Sequence, residues 1–325
     1  VKPHWIFFPF SLVYGAAVWL RNLFFDIGLF SSAGVDVPVI SVGNLTAGGT
    51  GKTPLVVEIV RLLKEHGKHP AVISRGYGRS TDGTVVVSDG RAIVATAMQG
   101  GDEPVQIARM TNAAVVIADA DRVRGAMKAV KEFGADVIVL DDGFQHRYCR
   151  RGTDIVLIDA QHPPYDTLML PAGYRRELMN GIKRASAVMV TKAKNSAAAR
   201  IVLNDARLGF HGPAFSSSFR PKGIRHIFGG VMQSLEIMKG HSAVAMCGIA
   251  VPESFRTQLE SSGVSVKAFF PFPDHHRYTE QDIANVVSAF RSTGADFILT
   301  TEKDAVRLNG FDLQLAALPV SALVM

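Results

Sequence analysis

Cysteine is nearly missing: the 325 residues hold two, Cys149 and Cys247, far apart in the chain. That excludes a disulfide framework and a four-cysteine zinc site, and it fits a reducing compartment. No period recurs along the sequence, which argues against a repeat solenoid. Charge is sparse. Charged residues make up 20% against 47% hydrophobic ones, a balance that rules out a disordered chain. The surplus of Lys and Arg over Asp and Glu, 35 against 29, is too small to select among nucleic acid, an anionic membrane face and a phosphorylated substrate. Dispersed basic residues and aromatics gathered in apolar runs speak against nucleic acid.

A long apolar run is missing too. From Trp5 to Leu20 no residue is charged, but sixteen helical residues cover about 24 Å, short of a bilayer's roughly 30 Å core. Extending the span draws in Arg21 and Asp26, which are costly near the hydrocarbon centre. On a helical wheel Ser11, Gly15, Asn22 and Asp26 form one narrow stripe, while Leu12, Ala16, Trp19, Leu20 and Leu23 crowd another face. This suits a helix lying in a membrane interface over residues 1–35, although a helix docked on the protein's own core has the same spacing. One Lys and no small-residue cleavage site before Pro38 argue against a signal peptide.

What is there is alternation. Strands are predicted at 37–42, 71–74, 85–88, 92–96, 114–118, 136–141, 154–159 and 187–191, with helices at 54–66, 104–110 and 122–133 between them. Asp89-Gly90 reads as a hairpin turn. The pattern predicts an α/β fold with a mostly parallel sheet over residues 36–208. Gly, Pro and Ser gather at 209–225, read as a linker. A smaller α/β unit is expected over 226–325, with strands at 243–247, 264–270 and 296–300 and helices at 252–261 and 279–293.

The strongest chemical signal is Thr46-Ala47-Gly48-Gly49-Thr50-Gly51-Lys52-Thr53, which follows a predicted strand and opens a predicted helix. Gly48, Gly49, Thr50 and Gly51 let backbone N–H groups turn towards phosphate oxygens, and the helix N-terminus adds partial positive charge. Lys52 reaches the β- and γ-phosphates, and the Thr53 hydroxyl can ligate Mg²⁺. An apolar strand ending in Asp141-Asp142 supplies carboxylates where a nucleotide's Mg²⁺ would sit. Together they predict a nucleoside triphosphate site.

Three further clusters leave their role open. Gly101-Asp102-Glu103-Pro104 puts two acids at a helix start, where capping alone would favour them. Asp274-His275-His276-Arg277-Tyr278 is dense in titratable groups, and Thr300-Thr301-Glu302-Lys303-Asp304 follows a strand. Thr191-Lys192-Ala193-Lys194-Asn195 lies where a guanine-reading Asn-Lys-x-Asp would stand but does not match it. An NTP-hydrolysing switch or metal-insertion GTPase is the rival reading.

At these residues the sequence resembles the tetraacyldisaccharide 4′-kinases of lipid A biosynthesis. The resemblance rests on Ser41–Pro54, Gly101–Pro104, Asp141-Asp142-Gly143-Phe144-Gln145-His146, Phe272-Pro273-Asp274-His275-His276 and Thr300–Asp304. It implies an ATP- and Mg²⁺-dependent kinase, peripheral at the cytoplasmic face of the bacterial inner membrane. Its acceptor would be the 4′-hydroxyl of a tetraacyldisaccharide 1-phosphate. The implied fold is a P-loop NTPase domain joined to a smaller α/β domain that closes over the site. By the same resemblance Asp102 is the base and His275 holds or tunes it. Asp142 is the favoured metal carboxylate, with Asp141 and Glu103 as alternates. Asn44, Gln145, His146, Arg176 and Glu177 are expected to meet the acceptor, although Tyr174 departs from the family pattern beside Arg175-Arg176-Glu177.

Overall fold

Short apolar runs without helical period become strands, and the amphipathic stretches between them become the helices that cover the sheet. The computed structural model describes residues 5–112, 114–218, 221–228, 231–274, 276–308, 311, 315 and 318–324. The chain divides into two units, Val1–Phe219 and Arg220–Met325.

The first unit runs through α1 (Phe8–Asp26), β1 (Val39–Asn44), α2 (Lys52–Glu65), β2 (Pro70–Ser74), β3 (Val85–Asp89), α3 (Ala97–Gly100) and α4 (Asp102–Met110). It continues with β4 (Val115–Ala118), α5 (Arg122–Phe133), β5 (Val137–Asp141), β6 (Thr153–Asp159), β7 (Ala187–Thr191), α6 (Ser196–Asn204) and β8 (Ala214–Ser216). The strands are ordered β3-β4-β2-β5-β1-β6-β7-β8, parallel throughout except for the β3–β4 pair. Every residue of β2 and β5 is buried, so both faces of the sheet centre are covered. On one face Ile73, Ile117, Ile138 and Leu140 pack with Ala126 and Ala129 of α5. Beyond β1, Val156, Ile158, Val188 and Val190 pack with Ala199 and Val202 of α6. Each such aliphatic side chain contributes about 1.5–3 kcal/mol on burial, which is why these runs set the fold.

The sheet also places the site. The chain leaves β1 towards β2, and after β5 it crosses β1 to reach β6. The crevice above the C-terminal end of β1 is therefore a topological switch point, where open α/β sheets bind ligands.

Helix α1 docks by its polar stripe. Its buried residues are Ser11, Val18 and Asn22. Ser11 Oγ donates to the Met169 carbonyl at 2.9 Å, and Asn22 Nδ2 donates to Glu177 at 2.6 Å. The apolar face points outward: Phe10, Leu12 and Val13 are 63%, 61% and 70% exposed, and Trp5 in the turn just before the helix is 66% exposed. The polar residues of the stripe turn to the protein, while the apolar ones apart from Val18 are largely exposed.

The second unit contains β9 (Gly223–His226), β10 (Ser242–Cys247), α7 (Pro252–Ser261), β11 (Ser265–Pro271), α8 (Glu280–Thr293), β12 (Phe297–Thr301), α9 (Glu302–Arg307) and β13 (Val320–Val324). Its strand order is β11-β10-β12-β13-β9, with only β9 antiparallel. The cluster Thr300–Asp304 serves this unit's own architecture. Thr301 caps α9, and the buried Asp304 carboxylate accepts from the Gly248 N–H at 3.1 Å and from Arg307 at 3.0 Å.

Two expectations change. Residues 92–96 form no strand and keep one bridge, Ser88 to Ile93, because Asp89 Oδ1 accepts from the N–H groups of Arg91 and Ala92 and curls the turn instead. The stretch 209–225 holds one short edge strand, Ala214–Ser216, and the start of another, Gly223–His226. Both are only three or four residues long; Ala214–Ser216 is exposed and Gly223–His226 buries just Gly223 and Ile224, so neither leaves a strong apolar pattern.

Candidate active site

The phosphate loop spans the gap between β1 and α2. Gly51 stands before the helix with φ 90°, a left-handed conformation that costs an L side chain about 1–2 kcal/mol. Asn44, the last residue of β1, is fully buried and braces the loop, with Nδ2 donating to Thr50 Oγ1 at 3.0 Å. Its Oδ1 accepts from Lys52 Nζ at 3.4 Å and from Arg176 Nη2 at 2.5 Å. Gln145 Nε2 donates to the Asn44 carbonyl at 2.8 Å.

Two residues from the end of β7 hold the loop from behind. Thr191 Oγ1 donates to the Thr50 carbonyl at 2.8 Å, and Lys192 Nζ donates to the Gly49 carbonyl at 2.5 Å and pairs with Asp159 at 2.7 Å. A trans peptide points its C=O and N–H oppositely, so fixing the Thr50 carbonyl aims the Gly51 N–H away from Thr191. This position supports the loop. It carries no guanine-reading sequence.

Opposite the loop, Asp142 has φ 51°, unusual for a residue with a side chain, and a bidentate partner in Arg176 at 2.7 and 2.9 Å. Lys52 Nζ lies 3.6 Å from Asp142. Burial alone would raise this carboxyl, but the Arg176 hydrogen bonds and the Lys52 charge hold it well below the usual carboxylate range. Asp141 behaves oppositely. It is buried beside Glu103 and Asp142, and burial with those like charges pushes it up to about 7, against a hydrogen bond from Ser74 Oγ at 2.9 Å. Backbone pairing supports Arg176: its N–H donates to the Leu45 carbonyl at 2.8 Å, and the Ala47 N–H donates to the Tyr174 carbonyl at 2.7 Å.

Asn44, Thr50, Lys52, Asp142, Gln145 and Arg176 are thus brought together. Asp102 and Glu103 open α4, and Thr53 lies in the first turn of α2. His146 sits among Arg122, Arg151 and Arg75, where burial and those charges push its imidazole down to about 4. Glu177 is fully buried, facing Asn22, Arg21 and Arg184. His275 lies outside the described residues. Ser74, Thr191 and Lys192 were not singled out as site residues by sequence reasoning, although polar residues closing apolar strands mark them.

Mg²⁺ takes hard oxygen ligands, few of them from protein, and keeps waters and phosphates for the rest. Among the described residues no three of His, Cys, Asp and Glu form a cage, and such an ion needs none. Asp141, Asp142, Glu103 and the Thr53 hydroxyl are the right donors. Asp141 is buried between the like charges of Glu103 and Asp142, which a cation would offset.

The sequence profile of one family, described as Tetraacyldisaccharide-1-P 4'-kinase, matches residues 3–324. A tetraacyldisaccharide 4'-kinase from Syntrophus aciditrophicus is 41% identical over 92% of this chain and 83% of that protein. The kinase of the same name from Geobacter metallireducens is 40% identical over 92% and 86%. Among solved structures, LpxK from Aquifex aeolicus in complex with ATP matches with a TM-score of 0.81 at 31% identity, covering 98% of this chain and 92% of that one.

Proposed function

Because this chain belongs to the tetraacyldisaccharide-1-P 4'-kinase family, we propose that the residues around its phosphate loop carry out that family's phosphoryl transfer in the following way. The reaction is ATP-dependent transfer of the γ-phosphate to the 4′-hydroxyl of a tetraacyldisaccharide 1-phosphate, a step of lipid A biosynthesis. Phosphoryl transfer asks the protein for alignment and charge neutralisation more than for covalent chemistry. The loop N–H groups of Gly48, Gly49, Thr50 and Gly51 receive the phosphates, and Lys52 neutralises charge at the γ-phosphoryl group. Mg²⁺ supplies further positive charge when bound, held by Thr53 and by Asp141, with Asp142 and Glu103 next. Arg176 keeps Asp142 ionised and aligned with Asn44.

Asp102 accepts the proton of the attacking hydroxyl. Gln145 and His146 face the acceptor. The observation that carries this reading is that Lys52 and Arg176 each meet both Asn44, at the end of β1, and Asp142. The outward apolar face of α1 lies on the cytoplasmic face of the bacterial inner membrane, where the acyl chains of the acceptor are held.

The test is transfer of labelled phosphate from ATP to tetraacyldisaccharide 1-phosphate in detergent micelles. Wild type transfers. Asp102→Asn under single-turnover conditions slows by about 10²-fold or more. A rate within about threefold of wild type removes Asp102 as the base.

A further inference from the structure

The phosphate loop leaves the end of β1, and Asp141-Asp142 closes β5 on one side of it. On the other side the first sheet continues through β6 to β7. With the carboxylates on the β5 side, the β6–β7 side is open to the rest of a nucleotide. Neighbouring strands lie about 4.8 Å apart, so β7 stands about 10 Å from β1. That is the reach of a nucleotide from its phosphates across the ribose to its base.

The segment at the end of β7 is Thr191-Lys192-Ala193-Lys194-Asn195. Lys192 has φ 55°, and its Nζ runs to the Gly49 carbonyl at 2.5 Å and to Asp159 at 2.7 Å. Its methylenes are therefore stretched between β7 and the phosphate loop, an apolar rail on which a flat purine can lie. Asn195 is committed to α6, its Oδ1 accepting from the Ala198 N–H at 2.8 Å. Lys194, between these two fixed residues, is exposed, and among the described residues it has no hydrogen-bond or ion-pair partner. Asp159 is taken by Lys192 and by the Gln161 N–H at 2.9 Å, and the segment itself holds no carboxylate.

A guanine reader needs an acceptor at this place. Guanine presents its N1–H and N2–H groups as donors, and the Asp of Asn-Lys-x-Asp accepts from both. Adenine presents N1 as a bare acceptor instead. Set against that pattern, Lys192 keeps the place of the Lys, and Lys194 stands where the Asp would be. An ammonium carries three donors and no acceptor. It donates to adenine N1, and it meets the guanine N1–H and N2–H donor to donor. One side chain thus supplies both the attraction and the rejection that selectivity needs.

We propose that Lys194 reads the base of the bound nucleoside triphosphate and sets a preference for ATP over GTP. Base reading by Lys194 rests on the nucleotide site proposed above, and it is independent of the acceptor.

Calorimetric binding of Mg·ATP and of Mg·GTP to the full chain, without acceptor, tests it. Wild type is expected to bind ATP at least about tenfold more tightly than GTP. Lys194→Asp exchanges donors for an acceptor and is expected to move the ratio of the two Kd values by about thirtyfold or more towards GTP. Lys194→Met keeps an apolar stem and is expected to reduce the preference by about fivefold. Lys194 is exposed, so neither variant touches the core. A ratio unchanged by Lys194→Asp, or equal proportional losses for both nucleotides, would overturn the role and leave Lys194 a surface charge. A wild type that binds GTP as tightly as ATP would overturn it as well, and one that binds neither overturns the phosphate site with it. A wild type that prefers ATP, responds to Lys194→Asp and transfers nothing to tetraacyldisaccharide 1-phosphate would overturn the kinase reading and leave the base reader standing.

Discussion

Asn22, on the outward-facing apolar helix, donates its Nδ2 to the fully buried Glu177 at 2.6 Å. The next residue back, Arg176, spreads its guanidinium across Asp142. The first helix is therefore two residues removed from a carboxylate of the phosphate site. Glu177 also takes Arg21 and Arg184 at 3.2 Å each, so one carboxylate joins α1 to the segment that supports Arg176.

Removing that carboxylate should be expensive. Glu177→Ala leaves two partly buried arginines without their partner and is expected to lower stability by about 3 kcal/mol. Asn22→Leu removes one buried hydrogen bond and is expected to cost about 1–2 kcal/mol. Urea unfolding of the purified proteins measures both, and unchanged midpoints would show that α1 is held by its apolar contacts alone.

The raised Asp141 carboxyl gives stability a pH dependence. Its folded value, about 7, lies above the ordinary carboxylate value, so its contribution is fully present at low pH. That contribution is lost as pH rises from about 4 through 7, where the folded protein must ionise a buried group. Asp141→Asn keeps an acceptor for Ser74 and removes the ionisation. Without nucleotide or metal, the variant is expected to be more stable than wild type at pH 8, with the gap closing by pH 5. Denaturant midpoints at the two pH values decide it; a gap that widens towards pH 5 would reverse the assignment.

The same group should release a proton when a cation arrives. Below pH 7 the Asp141 carboxyl is largely protonated, and ligation requires the ionised form. Calorimetric titration with Mg·ATP at pH 6 is expected to show an enthalpy that varies with the ionisation heat of the buffer. Asp141→Asn is expected to abolish that variation.

Support of the loop from β7 should appear in nucleotide binding. Thr191→Val removes the donor to the Thr50 carbonyl and leaves a buried C=O unmet, at about 1–3 kcal/mol. The KM for ATP is expected to rise by about tenfold, with a smaller change in the acceptor's KM. Thr191→Ser restores the hydroxyl and should recover most of the loss. Equal KM values for Val and Ser variants would make the contact incidental.

The outward face of α1 is testable with vesicles. Replacing Trp5, Phe10 and Val13 with Ser removes large exposed apolar surface, and binding to anionic phospholipid vesicles should weaken by about tenfold or more. Sedimentation with and without vesicles reports it.

Local chemistry is what the sequence determined by itself. The strands β1, β2, β5, β6 and β7 are apolar runs whose burial is nearly independent of context, and the loop from Thr46 to Thr53 is a backbone device that glycine and a following helix specify locally. Asp141 and Asp142 were legible for the same reason, since a carboxylate can end a buried strand only where the sheet opens. Pairings across long separations were decided by the tertiary structure alone. Arg176 reaches Asp142 and Asn44 across 34 and 132 residues, Lys192 reaches Gly49 across 143, and Asn22 reaches Glu177 across 155. Nothing in a periodicity encodes such contacts, because they depend on which strand ends lie side by side. The polar stripe of the first helix makes the point most plainly. Its spacing was visible from the start, but whether it faced water or protein depended on the distant Met169 and Glu177 that meet it.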